Sequence, residues 1–310
     1  MSKNFIIGID LGATNIKVGL IKSRKIVHKQ VLSTRDFASR GKLISGICVA
    51  INALLKAAHL SKNDVLGVGM GLPGPVDSVK GIVHYFPNIK GWRNVPLRRL
   101  MQQKTKLPVA IDNDANLMSL AEVRIGAARG LENVVGITLG TGVGGGIIIN
   151  GRVYRGASFV AGEIGHIPLN EHGPKCNCGG NACLERYIGN SYILAEAQKA
   201  FGQGVTLETV TRLAEEGNSK AIAVWDKAAG HLGVGLSAVI NILNPDAVVI
   251  GGGVASAGKF IFDKVRQVVR KRAMPTQART AKIVKAKLGI DAGMLGAALL
   301  MEEESRKNDK

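Results

Sequence analysis

The sequence has 310 residues, of which 46% are apolar, and it carries 41 basic against 23 acidic side chains. This length allows two domains, and the apolar fraction excludes a disordered chain. No apolar stretch reaches the ~20 residues that a membrane-spanning helix needs. The formal net charge of +18 is compatible with nucleic-acid binding, and it would also attract an anionic substrate such as ATP.

Strand and helix patterns alternate through the first part of the chain. Apolar runs predict strands, and apolar residues that recur every three or four positions predict helices. In chain order these are strands over 5–10, 16–21 and 26–32, a helix over 43–55, strands over 65–70 and 109–111, and a helix over 117–125. A glycine-containing turn joins the first two strands.

The same pattern restarts near residue 134. A strand over 134–139, a glycine turn over 140–146 and a strand over 147–149 repeat the opening arrangement. The remaining predictions are helices over 191–201, 206–216 and 219–243, strands over 247–250 and 282–285, a helix after the glycines at 251–253, and a final helix from 292. The repeated strand–turn–strand pattern predicts two related α/β halves.

One stretch, from Lys264 to Lys287, is basic and contains no acidic residue. Its spacing at the start is helical, so we interpret it as a solvated helix face rather than a nucleic-acid site. Only four residues precede the first predicted strand, so we expect neither a signal peptide nor a helix-turn-helix domain ahead of it. Reduced thiols that serve as metal ligands would fit a cytoplasmic protein.

Three of the four cysteines lie within eight residues, at Cys176, Cys178 and Cys183, and His166 precedes them by ten positions. Three cysteines and one histidine at short spacing are a ligand set that tetrahedral zinc prefers. The alternative is a group of unrelated buried or free thiols. The fourth cysteine, Cys48, falls on the apolar side of a predicted helix, and we expect it in the core.

Three glycine-rich segments are candidates for nucleotide binding, at 10–17, 140–146 and 251–253. Backbone N–H groups of such turns can face phosphate oxygens, because glycine allows close approach. Asp10, at the end of a strand, could hold Mg²⁺ directly or through water. Ordinary hairpins and strand-to-helix turns also use glycine, and none of the segments has the Gly-Lys-Ser/Thr ending of a P-loop.

Several acidic residues stand at the ends of predicted elements. Asp114 follows Asn113 at a strand-to-helix corner, where a helix N-terminus stabilises an ionised carboxylate. It could equally be a simple helix cap. Glu163 and Glu185 flank the cysteine cluster. Glu185, directly after the cluster, could hydrogen-bond a polyhydroxylated ligand or simply begin a surface helix.

Together these motifs resemble the ROK (repressor, ORF, kinase) sugar kinases, specifically the bacterial glucokinase-like members, over nearly the whole chain. The most specific segment is Glu163-x-x-Gly-His166 followed by Gly173-Pro-x-Cys176-x-Cys178-Gly-x-x-x-Cys183-x-Glu185. Further matches are Asp10–Lys17, Leu72-Pro-Gly74, Pro87-Asn88-x-x-Gly-Trp92, Asn113-Asp114 and Leu139–Gly146. The family usually has glycine before the last cysteine, where this chain has Ala182.

The resemblance implies an α/β fold of the actin-like, ribonuclease-H-like ATPase type, with two lobes, a ligand cleft between them and a small zinc loop at 166–185. We expect the N-terminal lobe to span 1–113 and to be joined by the C-terminal helix 292–310. We expect the larger C-terminal lobe to span 114–291. A homodimer is expected from the resemblance alone.

The resemblance also implies roles for single residues. Asp114 is the general base on the sugar hydroxyl. The other sugar-binding residues are Gly74, Asn88, Asn113, Glu163, His166 and Glu185, and the metal ligands are His166, Cys176, Cys178 and Cys183. The phosphates of ATP with its Mg²⁺ lie on Asp10, Gly12, Ala13, Thr14, Asn15, Lys17, Gly140, Thr141 and Gly142, and the adenosine lies by Gly251, Gly252 and Gly253. The zinc is structural, because four protein ligands leave it no open position.

The predicted activity is ATP-dependent phosphorylation of the 6-hydroxyl of a hexose, with glucose as the first candidate. Kinases of N-acetylmannosamine, N-acetylglucosamine, fructose or mannose share the same pocket residues and remain alternatives. A sugar-responsive transcriptional repressor is the alternative from another class. Asp114 and the Asp10 turn favour catalysis, and only the net charge favours DNA.

Overall fold

The computed structural model describes residues 4–86 and 91–308. The chain divides into two compact units. The first comprises Met1–Ala121, Val153–Ala161 and Ile290–Lys310, and the second comprises Glu122–Arg152 and Gly162–Gly289. Within the described residues, no helix combines the length and the apolar character that crossing a membrane requires.

The strands are β1 (Phe5–Leu11), β2 (Asn15–Lys22), β3 (Lys25–Ser33), β4 (Val65–Leu72), β5 (Val76–Asp77), β6 (Ile82–Tyr85), β7 (Arg93–Val95), β8 (Val109–Asn113), β9 (Val134–Leu139), β10 (Val143–Ile149), β11 (Arg152–Tyr154), β12 (Ala247–Gly251) and β13 (Lys282–Lys285). The helices are α1 (Arg40–Ala57), α2 (Leu97–Thr105), α3 (Asp114–Ile125), α4 (Glu185–Ile188), α5 (Asn190–Phe201), α6 (Leu207–Glu215), α7 (Ser219–Leu243), α8 (Lys259–Arg272), α9 (Pro275–Thr280) and α10 (Ala292–Asn308).

Each unit is built on a mixed sheet with the same strand order. The first sheet runs β3-β2-β1-β4-β8 and the second runs β11-β10-β9-β12-β13. In both, an antiparallel hairpin stands beside parallel strands. The prediction of two related α/β halves is therefore confirmed.

Each unit also has its own hydrophobic core. In the first, apolar side chains of β1, β2, β4 and α1 pack together, and the core includes Trp92. In the second, α7 and α8 pack on β9 and β12, and the core includes Trp225. Helix α10 lies against the first sheet, where a Cβ at Gly69 would overlap the carbonyl oxygen of Ala297. Glycine at this position lets a helix backbone rest directly on a strand.

The long periodic elements match their predictions, including α7 at 219–243 and β13 at 282–285. The glycine turn predicted over 140–146 is too long, because β10 begins at Val143 and pairs with β9 through Gly144–Gly146. Backbone pairing needs no side chain, so glycines can continue a strand. Cys48 is half-buried rather than fully in the core. The short sheet β5-β6-β7 has no counterpart among the predicted elements.

Candidate active site and metal centre

In the first unit, the carboxyl ends of β1, β4 and β8 form one edge of the sheet. The three strands are parallel, and their register places Asp10 beside Gly71 and Gly71 beside Asp112. Neighbouring strands lie about 4.8 Å apart. The Asp10 turn and the corner at Asn113 and Asp114 therefore come to the same edge, although about 100 residues separate them in the chain.

The turn between β1 and β2 is held from both sides. Asp10 and Lys17 are cross-strand partners, and the Lys17 Nζ lies 2.9 Å from Asp10 Oδ2. Lys17 Nζ also donates to the carbonyl oxygen of Ile290 at 2.6 Å. The Gly12 N–H donates to Asn15 O at 2.9 Å, and the Thr34 hydroxyl donates to Gly12 O at 2.9 Å. The tip residues, Ala13, Thr14 and Asn15, are exposed.

Asn113 and Asp114 are adjacent but do different things. The Asn113 Oδ1 accepts from the N–H groups of Ala115 and Asn116 at 2.9 and 3.2 Å, so Asn113 is the side chain that caps α3. Asn113 Nδ2 also donates to Gly74 O at 3.2 Å. Asp114 stands in the first turn of α3, half-buried, and its Oδ1 accepts from the Ala115 N–H at 2.8 Å. Both side chains thus accept from the Ala115 N–H, and Asn113 also accepts from the Asn116 N–H.

A buried ion pair beside this corner was not predicted from the sequence. Asp112 is 1% exposed, and its Oδ2 accepts from Arg155 Nε at 2.8 Å and from Arg155 Nη2 at 2.5 Å. Its Oδ1 accepts from the Asn113 N–H at 2.7 Å and from Asn116 Nδ2 at 3.1 Å. These bonds hold the end of β8 from which Asn113 and Asp114 follow. Forty-three positions separate Asp112 from Arg155, and no motif links them.

In the second unit, two glycine segments meet at one sheet edge. β12 and β9 are parallel, and Gly251 pairs with Thr138. The turn at 140–142 and the glycines at 251–253 therefore follow neighbouring strand ends. Gly140 N–H donates to Gly142 O at 3.0 Å. Gly252 has φ +87°, and a Cβ there would overlap the carbonyl oxygen of Leu139. A side chain at 252 would thus push the two segments apart.

Glu185 links the cysteine loop to the 140–142 turn. It begins α4, and its Oε2 accepts from the Val143 N–H at 2.8 Å. A Cβ at Gly142 would lie 2.7 Å from the same oxygen. The segment that carries Glu163 and His166 packs on β10 as well, because a Cβ at Gly145 would overlap Gly162 O. Strand β10 thus contacts the 140–142 turn, Glu185 and the segment that carries Glu163 and His166.

The four predicted metal ligands come together. The ligand atoms of His166, Cys176, Cys178 and Cys183 all lie within 4.8 Å of one another. Cys178 Sγ is 3.6 Å from Cys183 Sγ, and Cys176 Sγ is 3.7 Å from His166 Nδ1. Zn–S bonds of about 2.3 Å place two tetrahedral sulfur ligands about 3.8 Å apart. The spacing of the donors therefore fits a zinc ion.

Local hydrogen bonds shape this loop. Gly179 N–H donates to Cys176 O at 3.0 Å, and Cys176 N–H donates to Gly180 O at 2.9 Å. Ala182 is fully buried with φ +54°, in the left-handed region. A residue with a Cβ has a steric cost in this region, and glycine does not. This backbone conformation gives a physical reason for glycine being common before the last cysteine.

Two thiols of the cluster, those of Cys178 and Cys183, have pKa shifts in opposite directions. A backbone hydrogen bond with Gly180, followed by contacts with the neighbouring thiols, lowers the pKa of Cys178. Burial, followed by the same crowding of sulfur atoms, raises the pKa of Cys183 to about 12. Thiolates this close repel one another, and a bound divalent cation would neutralise their charge.

Glu163 and His166 stand side by side at the edge of the cluster. His166 Nε2 lies 3.8 Å from Glu163 Oε2, on the side of the ring opposite the cysteines. The Glu163 side chain is 55% exposed and that of His166 is 34% exposed. His166 can thus face the sulfur atoms with one nitrogen and a ligand with the other. Asn88, the remaining predicted sugar ligand, lies outside the described residues.

The model of the ROK family matches residues 6–304 of this sequence. The chain belongs to the ROK family. This ROK protein has the α/β fold in two units, built on mixed sheets, that the sequence resemblance implies, and its Cys3His cluster is compatible with the expected zinc loop.

Relatives of this ROK protein include enzymes and regulators. It is 36% identical to a glucokinase of Halalkalibacterium halodurans, over 100% of this chain and 98% of the relative. It is 32% identical to a xylose repressor of Caldicellulosiruptor bescii, over 96% of this chain and 77% of the repressor. Among solved structures, a ROK family glucokinase from Streptomyces griseus in complex with glucose and AMPPNP is 32% identical, with a TM-score of 0.81 over 96% of this chain and 99% of that one.

Proposed function

We propose that this ROK protein is an ATP-dependent sugar kinase that transfers the γ-phosphoryl group to the 6-hydroxyl of a hexose, with glucose preferred. The observation that carries the proposal is the arrangement of Asn113 and Asp114 at the end of β8. Asn113 accepts from two N–H groups at the start of α3, and Asp114 beside it is a half-buried acid at the edge of the sheet. A glucokinase relative at 36% identity, and another glucokinase solved with glucose and AMPPNP, support the kinase assignment.

Asp114 would act as the general base. Phosphoryl transfer depends on in-line positioning and charge neutralisation more than on covalent chemistry. A carboxylate need only accept the hydroxyl proton as the oxygen attacks phosphorus. A helix N-terminus favours an ionised carboxylate, which is the form that accepts a proton.

The glycine turns would hold the nucleotide. The N–H groups of Gly12 and Gly140 are used within their own turns, so the other backbone N–H groups of the two turns would be the donors to phosphate oxygens, and Lys17 would add positive charge beside the first turn. Asp10 would supply one hard oxygen ligand to the Mg²⁺ that accompanies ATP, with phosphate oxygens and water as the others. Magnesium there would neutralise the phosphates. A Cβ at Gly253 would meet no atom within 4 Å, so the backbone there would be open to the adenosine.

The metal loop would form part of the sugar site. A zinc ion on the four protein ligands would fix the loop that carries Glu163, His166 and Glu185, without taking part in the chemistry. The Nε2 of His166 would then be available to a sugar hydroxyl while Nδ1 faces the metal. Gly74, Asn88 and Asn113 complete the proposed set of sugar contacts. Cysteine ligands that must stay reduced favour a cytoplasmic location.

The preference for glucose is supported by the glucokinase-like match around Pro87-Asn88 and Glu163–His166 and by the chemistry of these groups. Side chains that hydrogen-bond hydroxyls penalise a sugar that leaves them unpaired, by up to ~10⁴-fold. An acetamido group at carbon 2 would need extra room and an amide partner. No residue proposed for the sugar site is expected to supply them.

A coupled ADP-release assay over glucose, mannose, fructose, N-acetylmannosamine and N-acetylglucosamine tests the proposal. We expect glucose to give the highest kcat/KM. Asp114→Asn should lower kcat by ~10²–10⁴ and leave glucose binding, measured by calorimetry, largely intact. Asp263→Asn, a loss of one acid at an exposed site, is the matched control and should leave kcat unchanged.

The outcomes separate the alternatives. Near-normal kcat in folded Asp114→Asn would refute its role as base. A tenfold preference for an N-acetylated hexosamine would overturn glucose but not the kinase. ADP release with none of the sugars, together with a sugar-dependent gel shift of DNA at physiological salt, would point to a regulator like the xylose repressors.

A further inference from the structure

A basic cavity lies in the second unit, at the end of α8, along α9 and at the start of β13. Its volume is about 600 Å³, within the range of small-molecule sites. The basic lining residues are Arg266, Arg270, Arg279 and Lys282, and apolar side chains including Val269 and Ile283 form part of the wall. Nothing in the proposed kinase chemistry uses these residues.

The strand register separates this cavity from the glycine turns. β12 and β13 are parallel, and Lys282 pairs with Ala247 at the amino end of β12. The glycines at 251–253 follow the carboxyl end of the same strand. Four residues of strand correspond to about 13 Å. The cavity and the proposed nucleotide turns therefore lie at opposite edges of one sheet.

The charge of the cavity is nearly uncompensated. From Lys264 to Ile290 the sequence contains no acidic residue. Arg266 is engaged, since its Nη1 lies 3.0 Å from Asp263 Oδ1 and its Nη2 donates to Ile283 O at 2.9 Å. Among the described residues, no carboxylate forms an ion pair with Arg270, Arg279 or Lys282. Three cations around one concave space repel one another unless an anion joins them.

We propose that this cavity binds an organic phosphate, with the phosphate on Arg270, Arg279 and Lys282 and the organic part against Val269 and Ile283. Guanidinium groups match phosphate with paired, charge-assisted hydrogen bonds. An inorganic ion would fill little of the cavity and would leave its apolar wall in water. A nucleotide or a sugar phosphate matches both the charge and the volume.

Calorimetric titration with ADP and with glucose 6-phosphate, each without Mg²⁺, tests the proposal. At least one compound should bind at a site that Arg270→Ala/Arg279→Ala weakens by tenfold or more. Lys271→Ala/Arg272→Ala is the matched control, because it removes the same charge from the same helix end at exposed residues outside the cavity. The control should change affinity by less than threefold.

Two further measurements separate this cavity from the proposed active site. Lys17→Ala, in the first glycine turn, should leave the Arg270-dependent binding intact. Arg270→Ala/Arg279→Ala should retain the ADP-release activity of the unaltered chain.

Equal losses in the two double variants would show a diffuse basic surface and overturn the proposal. Inorganic phosphate that binds as tightly as the organic compounds would overturn the role of the apolar wall. If neither compound binds in an Arg270-dependent way, the whole proposal is overturned.

Discussion

At the scale of single residues, the end of β8 is organised by a side chain that takes no part in the proposed chemistry. Asp112 is buried, and two nitrogens of Arg155 converge on one of its oxygens. Arg155 is 25% exposed, so the pair is only partly screened by water. Breaking such a pair leaves a buried charge without its partner, which costs more than the pair itself contributes.

Arg155→Ala should therefore lower the free energy of unfolding by about 3 kcal/mol, since Asp112 keeps only its bonds from Asn113 and Asn116. Urea denaturation would measure the loss. Adding Asp112→Asn to Arg155→Ala should restore part of the lost stability, because the unpaired buried charge is removed.

Arg306→Ala provides the control for this measurement. Arg306 has a side chain that is 69% exposed, and it pairs with Glu302 one turn away on α10; an exposed helical pair of this kind contributes only about 0.3–0.5 kcal/mol. Equal losses at 155 and 306 would mean that burial of Asp112 has no energetic consequence.

At the scale of elements, the cysteine loop is the segment whose shape depends most on something other than packing. Its helix α4 spans only Glu185–Ile188, and antiparallel bridges pair Pro168 with Cys183 and Lys175 with Asn181. One four-residue helix and two isolated bridges give the loop little stability of their own. Metal binding supplies folding free energy directly in such loops.

Cys178→Ser should abolish stoichiometric zinc and lower glucose affinity, because the loop that positions Glu185 loses its anchor. Elemental analysis of protein purified without chelator, together with calorimetry, would measure both effects. Cys48→Ser removes the cysteine outside the cluster and should change neither. The absence of zinc from the unaltered protein would contradict the assignment.

At the scale of the whole molecule, each unit contains its own core and one tryptophan. Trp92 is 3% exposed in the core of the first unit, and Trp225 is 1% exposed in the core of the second. The cysteine cluster belongs to the second unit. Each tryptophan therefore reports the unfolding of one unit.

Zinc chelation should lower the unfolding midpoint reported by Trp225 and leave that reported by Trp92 unchanged. The variants Trp92→Phe and Trp225→Phe isolate the two signals in fluorescence-detected denaturation. Units with separate cores can unfold separately. Equal shifts in both variants would show instead that the chain unfolds as one cooperative unit.

The sequence was sufficient for features that depend on local pattern. The periodicity of 219–243 predicted α7, and the restart at 134 predicted a second half with the arrangement of the first. The spacing of Cys176, Cys178 and Cys183 predicted a metal loop, because ligands close in the chain can meet without long-range folding.

Tertiary structure decided what depends on distant partners. Pairing between strands brings Asp10 and Asp112 to one edge, and it placed Gly144–Gly146 in β10 where local composition indicated a turn. Arg155 reaches Asp112 from a segment 43 positions away. The basic cavity is formed by three elements, and their separate sequences show charge but not concavity. Backbone pairing and burial are properties of contacts between segments, so residue pattern within one segment does not encode them.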